Sequence, residues 1–222
     1  HNTGIGKTFE DLMEIKENNN PLPDFFDLEC KSQRALSESY ITLTTKSPDY
    51  PSRVNSLLRK KYGYPDSFFS NVNILHTSIF HKTYNTCKGV WGFKLNVDQD
   101  SRKIHILIKN LINGKSEDID IHYLFSTIEK IVNIKLQKIA YISADSRRTS
   151  NGEEFHFKKV TLLTGLKIDN FINLIKDNVI MYDIRLGVYQ SGKNIGKPHD
   201  HGSGLRIKKD SLGKAFNIYE FI

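Results

Sequence analysis

"PLPDFFDLECKSQR", residues 21–34, is the stretch on which the reading of the whole chain turns. Pro23-Asp24 is followed, after four residues, by Glu29-Cys30-Lys31. Phe25 to Gln33 reads as a strand, and alternate residues of a strand share a face. Glu29 and Lys31 then point one way, Leu28 and Cys30 point to the opposite, apolar side, and Asp24 enters from the preceding turn. Two carboxylates and one ammonium converge on a single point, a set suited to phosphodiester hydrolysis. Asp24 and Glu29 offer hard oxygen ligands for Mg²⁺, which would polarise the phosphate and lower the pKa of a bound water. Lys31 can orient the attacking water and neutralise charge in the transition state. Asp27 is a reserve ligand on the Glu29 face. A bare pattern of this kind also describes an edge strand with a solvated, salt-bridged face. An apolar opposite face and Glu10, fourteen residues before Asp24, favour the chemical reading.

Upstream, "NTGIGKTFEDLME" (residues 2–14) ends a Gly-Lys-Thr turn on a helical stripe of Ile5, Phe9, Leu12, Met13 and Ile15. The helix is expected over Ile5–Glu17, stopped by Asn18-Asn19-Asn20-Pro21. Gly6-Lys7-Thr8 looks like the end of a phosphate-binding P-loop. That loop needs a glycine five residues before the Gly-Lys pair, where this chain has His1. A nucleotide site is therefore set aside, and the helix is expected to carry Glu10 toward the carboxylates.

Working outward, strands are expected at Tyr40–Lys46, Asn73–Phe80, Val90–Val97 and Lys103–Lys109, with a short basic helix at Pro51–Tyr62. Polar, Gly-containing Asn110–Asp118 is the expected lobe boundary. Beyond it come a helix (Ile121–Val132), strands (Lys138–Ala144, Glu154–Leu163), a helix (Ile168–Lys176) and a strongly apolar strand (Val179–Tyr189). Gln190–Gly204 is a loop, and Leu205–Lys208 and Phe216–Phe221 close the chain as strands. Arg147, Arg148, Glu153 and Glu154 flank a hairpin-like turn. The class is α/β or α+β with a mixed sheet.

Lys plus Arg outnumber Asp plus Glu by 32 to 25, a net charge of +7 that favours a polyanionic partner, nucleic acid or membrane surface. No run is long enough to span a membrane and there is no signal peptide pattern, so no membrane role is expected. Cys30 and Cys87 are too few for a disulfide framework and fit a reducing cytoplasm. A start at His1, directly on a helix signal, fits a domain cut from a longer protein, with a fused N-terminal DNA-binding or targeting domain as one expectation.

The second informative stretch is "MYDIRLGVYQSGKNIGKPHDHGSGLRI", residues 181–207. Asp183 and Arg185 alternate on one strand face. His199, Asp200 and His201 sit in a glycine-bracketed loop, with Arg206 just beyond. Arginine donates a bidentate pair to guanine, aspartate accepts from cytosine, and histidine donates to guanine acceptors. Together they would read a G·C-rich site in the major groove. A zinc site from His199, His201 and Cys87 lacks the ligand number and spacing of structural zinc sites. Paired His-x-Ser motifs of a two-histidine phosphoesterase fit at His76-Thr77-Ser78 but not at His201-Gly202-Ser203. Lys46, Arg53, Arg59, Lys60 and Lys61 would contact backbone phosphates or form a solvated face. Trp91 reads as core.

Residues 2–34 resemble the N-terminal catalytic segment of the MvaI/BcnI restriction endonucleases, MutH-like members of the PD-(D/E)xK nuclease superfamily. By that resemblance Asp24, Glu29 and Lys31 match the metal-binding acids and catalytic lysine, and Glu10 matches the glutamate of the nuclease helix. The HDHG loop and the arginine after it resemble the family's recognition lobe. Asp183, Arg185, His199, Asp200, His201 and Arg206 thereby fall on base-contacting positions. The resemblance implies a mixed-sheet nuclease core with a second DNA-recognition lobe, here expected over 1–115 and 116–222. It further implies a Mg²⁺-dependent enzyme of the bacterial or archaeal cytoplasm. The enzyme would be a monomer whose lobes clasp double-stranded DNA and cut a short pseudo-palindrome such as CCWGG or CCSGG. A MutH-like nickase and a non-catalytic DNA-binding module are the alternatives.

Overall fold

The computed structural model describes residues 4–14, 22–24, 26–35, 40–150 and 152–221. In chain order the elements begin with α1 (Gly4–Leu12), β1 (Glu29–Arg34), β2 (Ile41–Thr44), α2 (Val54–Tyr62), β3 (Tyr64–Pro65) and β4 (Asn73–Ile79). Next come β5 (Trp91–Asp98), β6 (Lys103–Asn110), β7 (His122–Leu124), α3 (Phe125–Lys135), β8 (Lys138–Thr149) and β9 (Gly152–Thr164). The chain ends with α4 (Ile168–Lys176), β10 (Ile180–Val188), β11 (Pro198–Asp200), β12 (Gly204–Ile207), α5 (Leu212–Ala215) and β13 (Asn217–Phe221). Residues 15–17 of the expected first helix and Phe25 of the expected first strand lie outside the described residues.

The chain divides into two compact units, and neither is continuous in sequence. The first comprises His1–Ile41, Glu129–Phe171 and Lys208–Ile222; the second comprises Thr42–Ile128 and Ile172–Ile207. The expected boundary at 115/116 falls inside the second unit. Asn110 explains the difference. Its side-chain carbonyl accepts the backbone N–H of Ile112 at 2.9 Å and of Asn113 at 3.2 Å, while Lys109 bridges to Ser116. These bonds fold the polar segment back on β6 as a turn rather than a linker.

The first unit holds a four-stranded sheet ordered β1-β8-β9-β13. β1 runs parallel to β8, and the other pairs are antiparallel, so the sheet is mixed. β8 and β9 run past the expected ends into a long hairpin with a bulge at Ser143/Ala144. Glu153 on it takes a bidentate pair from Arg34 of β1, at 2.6 and 2.8 Å, and Arg147 pairs with Glu154. These contacts account for Arg147, Glu153 and Glu154 at the turn, three charges that periodicity left unexplained. α1 lies against this sheet through buried Ile5 and an edge-to-face contact of Phe9 with Phe157 at 5.4 Å.

The second unit holds a six-stranded sheet, ordered β2-β12-β10-β4-β3 with β11 beside β10, and a three-stranded sheet, β5-β6-β7. β10 lies between β12 and β4, and all its residues are buried except Arg185. This is why it reads as an almost unbroken apolar run. Fully buried Leu58, Tyr62, Leu75, Phe93, Ile106 and Tyr182 belong to this unit's core. Trp91, expected in the core, is half-buried at its margin and packs edge-to-face on buried Tyr62 at 4.9 Å. The helix expected over Ile121–Val132 starts later, because His122 and Tyr123 pair with β6 as β7 before the chain turns helical at Phe125.

Candidate active site and nucleic-acid interface

Gly4, Gly6 and Lys7 lie within α1, not in a loop, and Lys7 pairs with Asp11 at 2.8 Å one turn on. A P-loop geometry is absent here. A Cβ added at Gly6 would meet the Ser32 hydroxyl at 3.4 Å, so the glycine serves close approach of α1 to β1.

Glu29 and Lys31 share a face of β1, and the Lys31 ammonium donates to Glu29 Oε1. Glu29 is nevertheless the buried residue of β1, 4% exposed, whereas Cys30 and Lys31 are both half-buried. The contrast expected between an apolar, covered face and a charged, solvated one is therefore not seen along this strand. Alternation decides which residues share a face and not which face is covered. Glu29 is buried with two ammonium groups rather than alone, since Lys135 at the end of α3 lies 3.5 Å from Oε2. Oε2 itself has no hydrogen-bond partner. Asp24 Oδ2 accepts the Cys30 backbone N–H at 2.9 Å, which fastens the turn to the strand. Asp27 is exposed and pairs with Lys138 instead; that hydrogen bond holds its carboxyl below the usual range.

Cys30 reports the convergence of these groups. Burial pushes its thiol up to about 11; Asp24, Glu29 and Glu10 add to the rise, and Lys31 opposes it. All four expected residues are therefore within electrostatic reach of Cys30. They do not form a tight cluster: among the described residues, Glu10, Asp24 and Glu29 do not bring three ligand atoms within 4.8 Å of one another. Two carboxylates, one carrying a buried oxygen without a donor, fit a hard divalent cation. Lys135 was missed because the helix bearing it runs past the expected end at Val132.

In the second unit, Asp183 and Arg185 share a face of β10, with Arg185 Nε donating to Asp183 Oδ2 at 2.6 Å. The structure separates residues that the sequence treats alike. Asp183 and Arg206 are both buried and lie 3.0 Å apart, and Ser78 donates to Asp183 at 2.9 Å. Arg206 also donates to Thr42 and, at 2.7 Å, to the Gly202 carbonyl. Burial pushes its guanidinium down, with Arg185 adding, against the charges of Asp183 and Asp200. Asp200 accepts from Gly202, Ser203 and Asn55, engaging both oxygens. Asp183, Asp200 and Arg206 thus brace the strand and loop.

The exposed groups are Arg185 and His201, with His199 partly covered by Tyr189, whose ring stacks on it at 4.0 Å. The His199 and His201 rings meet edge-to-face at 4.6 Å. β4 adds His76 directly opposite Arg185, a contribution that only the strand register reveals. Gly187 makes room for it, since a Cβ there would lie 2.8 Å from His201 and 3.2 Å from His76. Burial lowers the His76 pKa, His201 and Arg185 lower it further, and Asp183 and Asp66 oppose them. His76 is exposed, so solvent screens the effect; what stability it contributes is present above its ordinary value of 6.5 and is lost as the pH falls through its lowered pKa. An NMR titration should show His76 with a midpoint under 6.5; one at or above that value would contradict this electrostatic picture. On α2 and before it, Lys61 pairs with Glu117 at 2.7 Å, Arg59 donates to the Asn73 carbonyl, and Lys46 pairs with Asp49.

No helix among the described residues is long and apolar enough to cross a membrane. Among curated proteins none matches the chain. The chain is similar, at 33% identity and a TM-score of 0.94, to a structure described as the restriction endonuclease MvaI–cognate DNA substrate complex, covering all of this chain and 89% of that one. It is also similar to restriction endonuclease MvaI in the absence of DNA, at 32% identity and a TM-score of 0.65, covering 97% of this chain and 87% of that one. The model of the MvaI/BcnI restriction endonuclease family matches residues 1–216. With that match over nearly the whole length, the chain belongs to the MvaI/BcnI restriction endonuclease family and is a type II site-specific deoxyribonuclease.

Proposed function

We propose that the enzyme cleaves both strands of duplex DNA at a short, G·C-rich pseudo-palindrome such as CCWGG, in a Mg²⁺-dependent reaction, acting as a cytoplasmic monomer. The observation that carries the catalytic half is the buried Glu29 carboxylate, one oxygen on Lys31 and the other without a donor, with Asp24 hydrogen-bonded into the same strand. Asp24 and Glu29 would hold the cation, which when bound polarises the scissile phosphate and acidifies a water. Lys31, aligned by Glu29, orients the attacking water and offsets negative charge as the phosphorus–oxygen bond breaks. Lys135 places a second ammonium 3.5 Å from the other Glu29 oxygen. Glu10 adds negative charge near Cys30 and would assist in retaining the cation. Hydrolysis leaves a 5′-phosphate and a 3′-hydroxyl.

The first unit would then be the catalytic lobe and the second the recognition lobe. Arg185, His199 and His201 present donors for guanine acceptors, while Asp183, Asp200 and Arg206 hold those donors in place. The solved relative described with its cognate DNA substrate supports duplex DNA as the partner. Plasmid DNA incubated with the protein and Mg²⁺, beside an EDTA control, should yield discrete fragments whose ends share one G·C-rich motif. Single-strand nicks alone would support a MutH-like nickase. Specific binding without cleavage would reduce the chain to a binding module.

A further inference from the structure

Outside both sites, one side-chain group stands out among the described residues. Ligand atoms of His105, Asp120 and His122 all lie within 4.8 Å of one another. Sheet register creates the group. His105 on β6 lies directly opposite His122 on β7, and Asp120 precedes His122 by two residues. Asp120 Oδ1 lies 2.8 Å from His122 Nδ1 and 3.3 Å from His105 Nδ1. The two imidazoles are tilted by 57°, with centroids 5.6 Å apart. Tetrahedral zinc, with bonds of about 2.0–2.2 Å, sets neighbouring ligand atoms roughly 3.3–3.6 Å apart. The His105–Asp120 separation matches that spacing; the 2.8 Å His122–Asp120 contact is a hydrogen bond that an ion would replace, with the half-exposed Asp120 side chain rotating to open it.

The buried ligand is held rigidly. The His122 carbonyl accepts the N–H groups of Asp49 at 2.8 Å and Tyr50 at 3.2 Å, and its own N–H donates to the Tyr50 carbonyl at 3.1 Å. Its ring stacks on Tyr50 at 5.6 Å. The His122 side chain is only 9% exposed, whereas those of His105 and Asp120 are 22% and 46% exposed, which leaves an open side for an ion to enter. Two imidazoles and one carboxylate suit late first-row divalent ions, whereas Mg²⁺ takes oxygen donors.

We propose that His105, Asp120 and His122 form a binding site for a zinc-class divalent cation, separate from the nuclease centre, with solvent in the fourth position. The ion would pin β7 to β6, adding to the strand pairing and to the hydrogen bonds that Tyr123 and Leu124 make with Lys46 and Asp49.

The test is a Zn²⁺ titration of the intact protein in millimolar Mg²⁺, which fills oxygen sites without competing for imidazole. Calorimetry should give one equivalent of Zn²⁺, and the melting temperature should rise by roughly 5–10 °C at a hundredfold excess over Kd. Asp120→Asn and His105→Gln, both at accessible positions, should melt near the wild type without zinc and lose both the equivalent and the rise. Glu29→Gln should retain both, which separates this site from the carboxylates of β1. No zinc bound by the wild type, equal binding by the two variants, or loss of the equivalent in Glu29→Gln would each overturn the proposal.

Discussion

Lys31→Ala is expected to lower the single-turnover cleavage rate by roughly 10³-fold, in the range of a lost acid–base or charge-stabilising group, with DNA affinity nearly unchanged. The separation follows from position. Lys31 sits on the strand with Glu29, in the first unit, while Arg185, His199 and His201 belong to the second. Removing the ammonium leaves Glu29 with Lys135 as its remaining cation, 3.5 Å away, so the buried carboxylate is not stranded. Some stability will still be lost, and denaturant melting should accompany the assay. Lys31→Arg sharpens the test. A guanidinium keeps the charge but spreads it over a planar fork, so it should restore stability while leaving most of the rate deficit. Binding measured by anisotropy without Mg²⁺, set against cleavage after its addition, separates affinity from chemistry. If affinity and rate fall together by the same factor, Lys31 is a binding or structural residue and its chemical role is wrong.

Asp183→Ala should cost about 3–5 kcal/mol of folding stability, the penalty for leaving a buried cation without its partner. Arg206 is 7% exposed, and its Nε faces Asp183 at 3.0 Å without a hydrogen bond of its own. The Ser78 hydroxyl also loses its acceptor. Urea denaturation would show the loss as a lower midpoint at unchanged slope. Arg185→Ala makes the contrast. Its side chain is half exposed, so stability should move by no more than about 0.5 kcal/mol. Discrimination of the preferred site should instead fall by about 1–3 kcal/mol, one lost bidentate contact. Full stability in Asp183→Ala would mean that Arg206 is adequately held by Thr42 and Gly202. Intact site preference in Arg185→Ala would remove β10 from base reading.

Much of this was legible in the chain, because period-two alternation and local turn chemistry are properties of neighbouring residues. Alternation places Glu29 with Lys31 and Asp183 with Arg185, and both pairs share a face in the structure. Asp24 is brought back to Cys30 across a short turn. The resemblance carried by these segments was enough to indicate the family.

What only the tertiary structure decided lies in long-range pairing. It buried Glu29 beside Lys135, and Arg206 against Asp183. It set His76 opposite Arg185, and drew each unit from separated segments of chain. His105 and His122 are likewise unremarkable until register places them across from each other. The physical reason is common to all of these. Local periodicity determines which residues travel together on a face, but the face that is buried, and what meets it there, depends on free energies of contact between segments far apart in the chain.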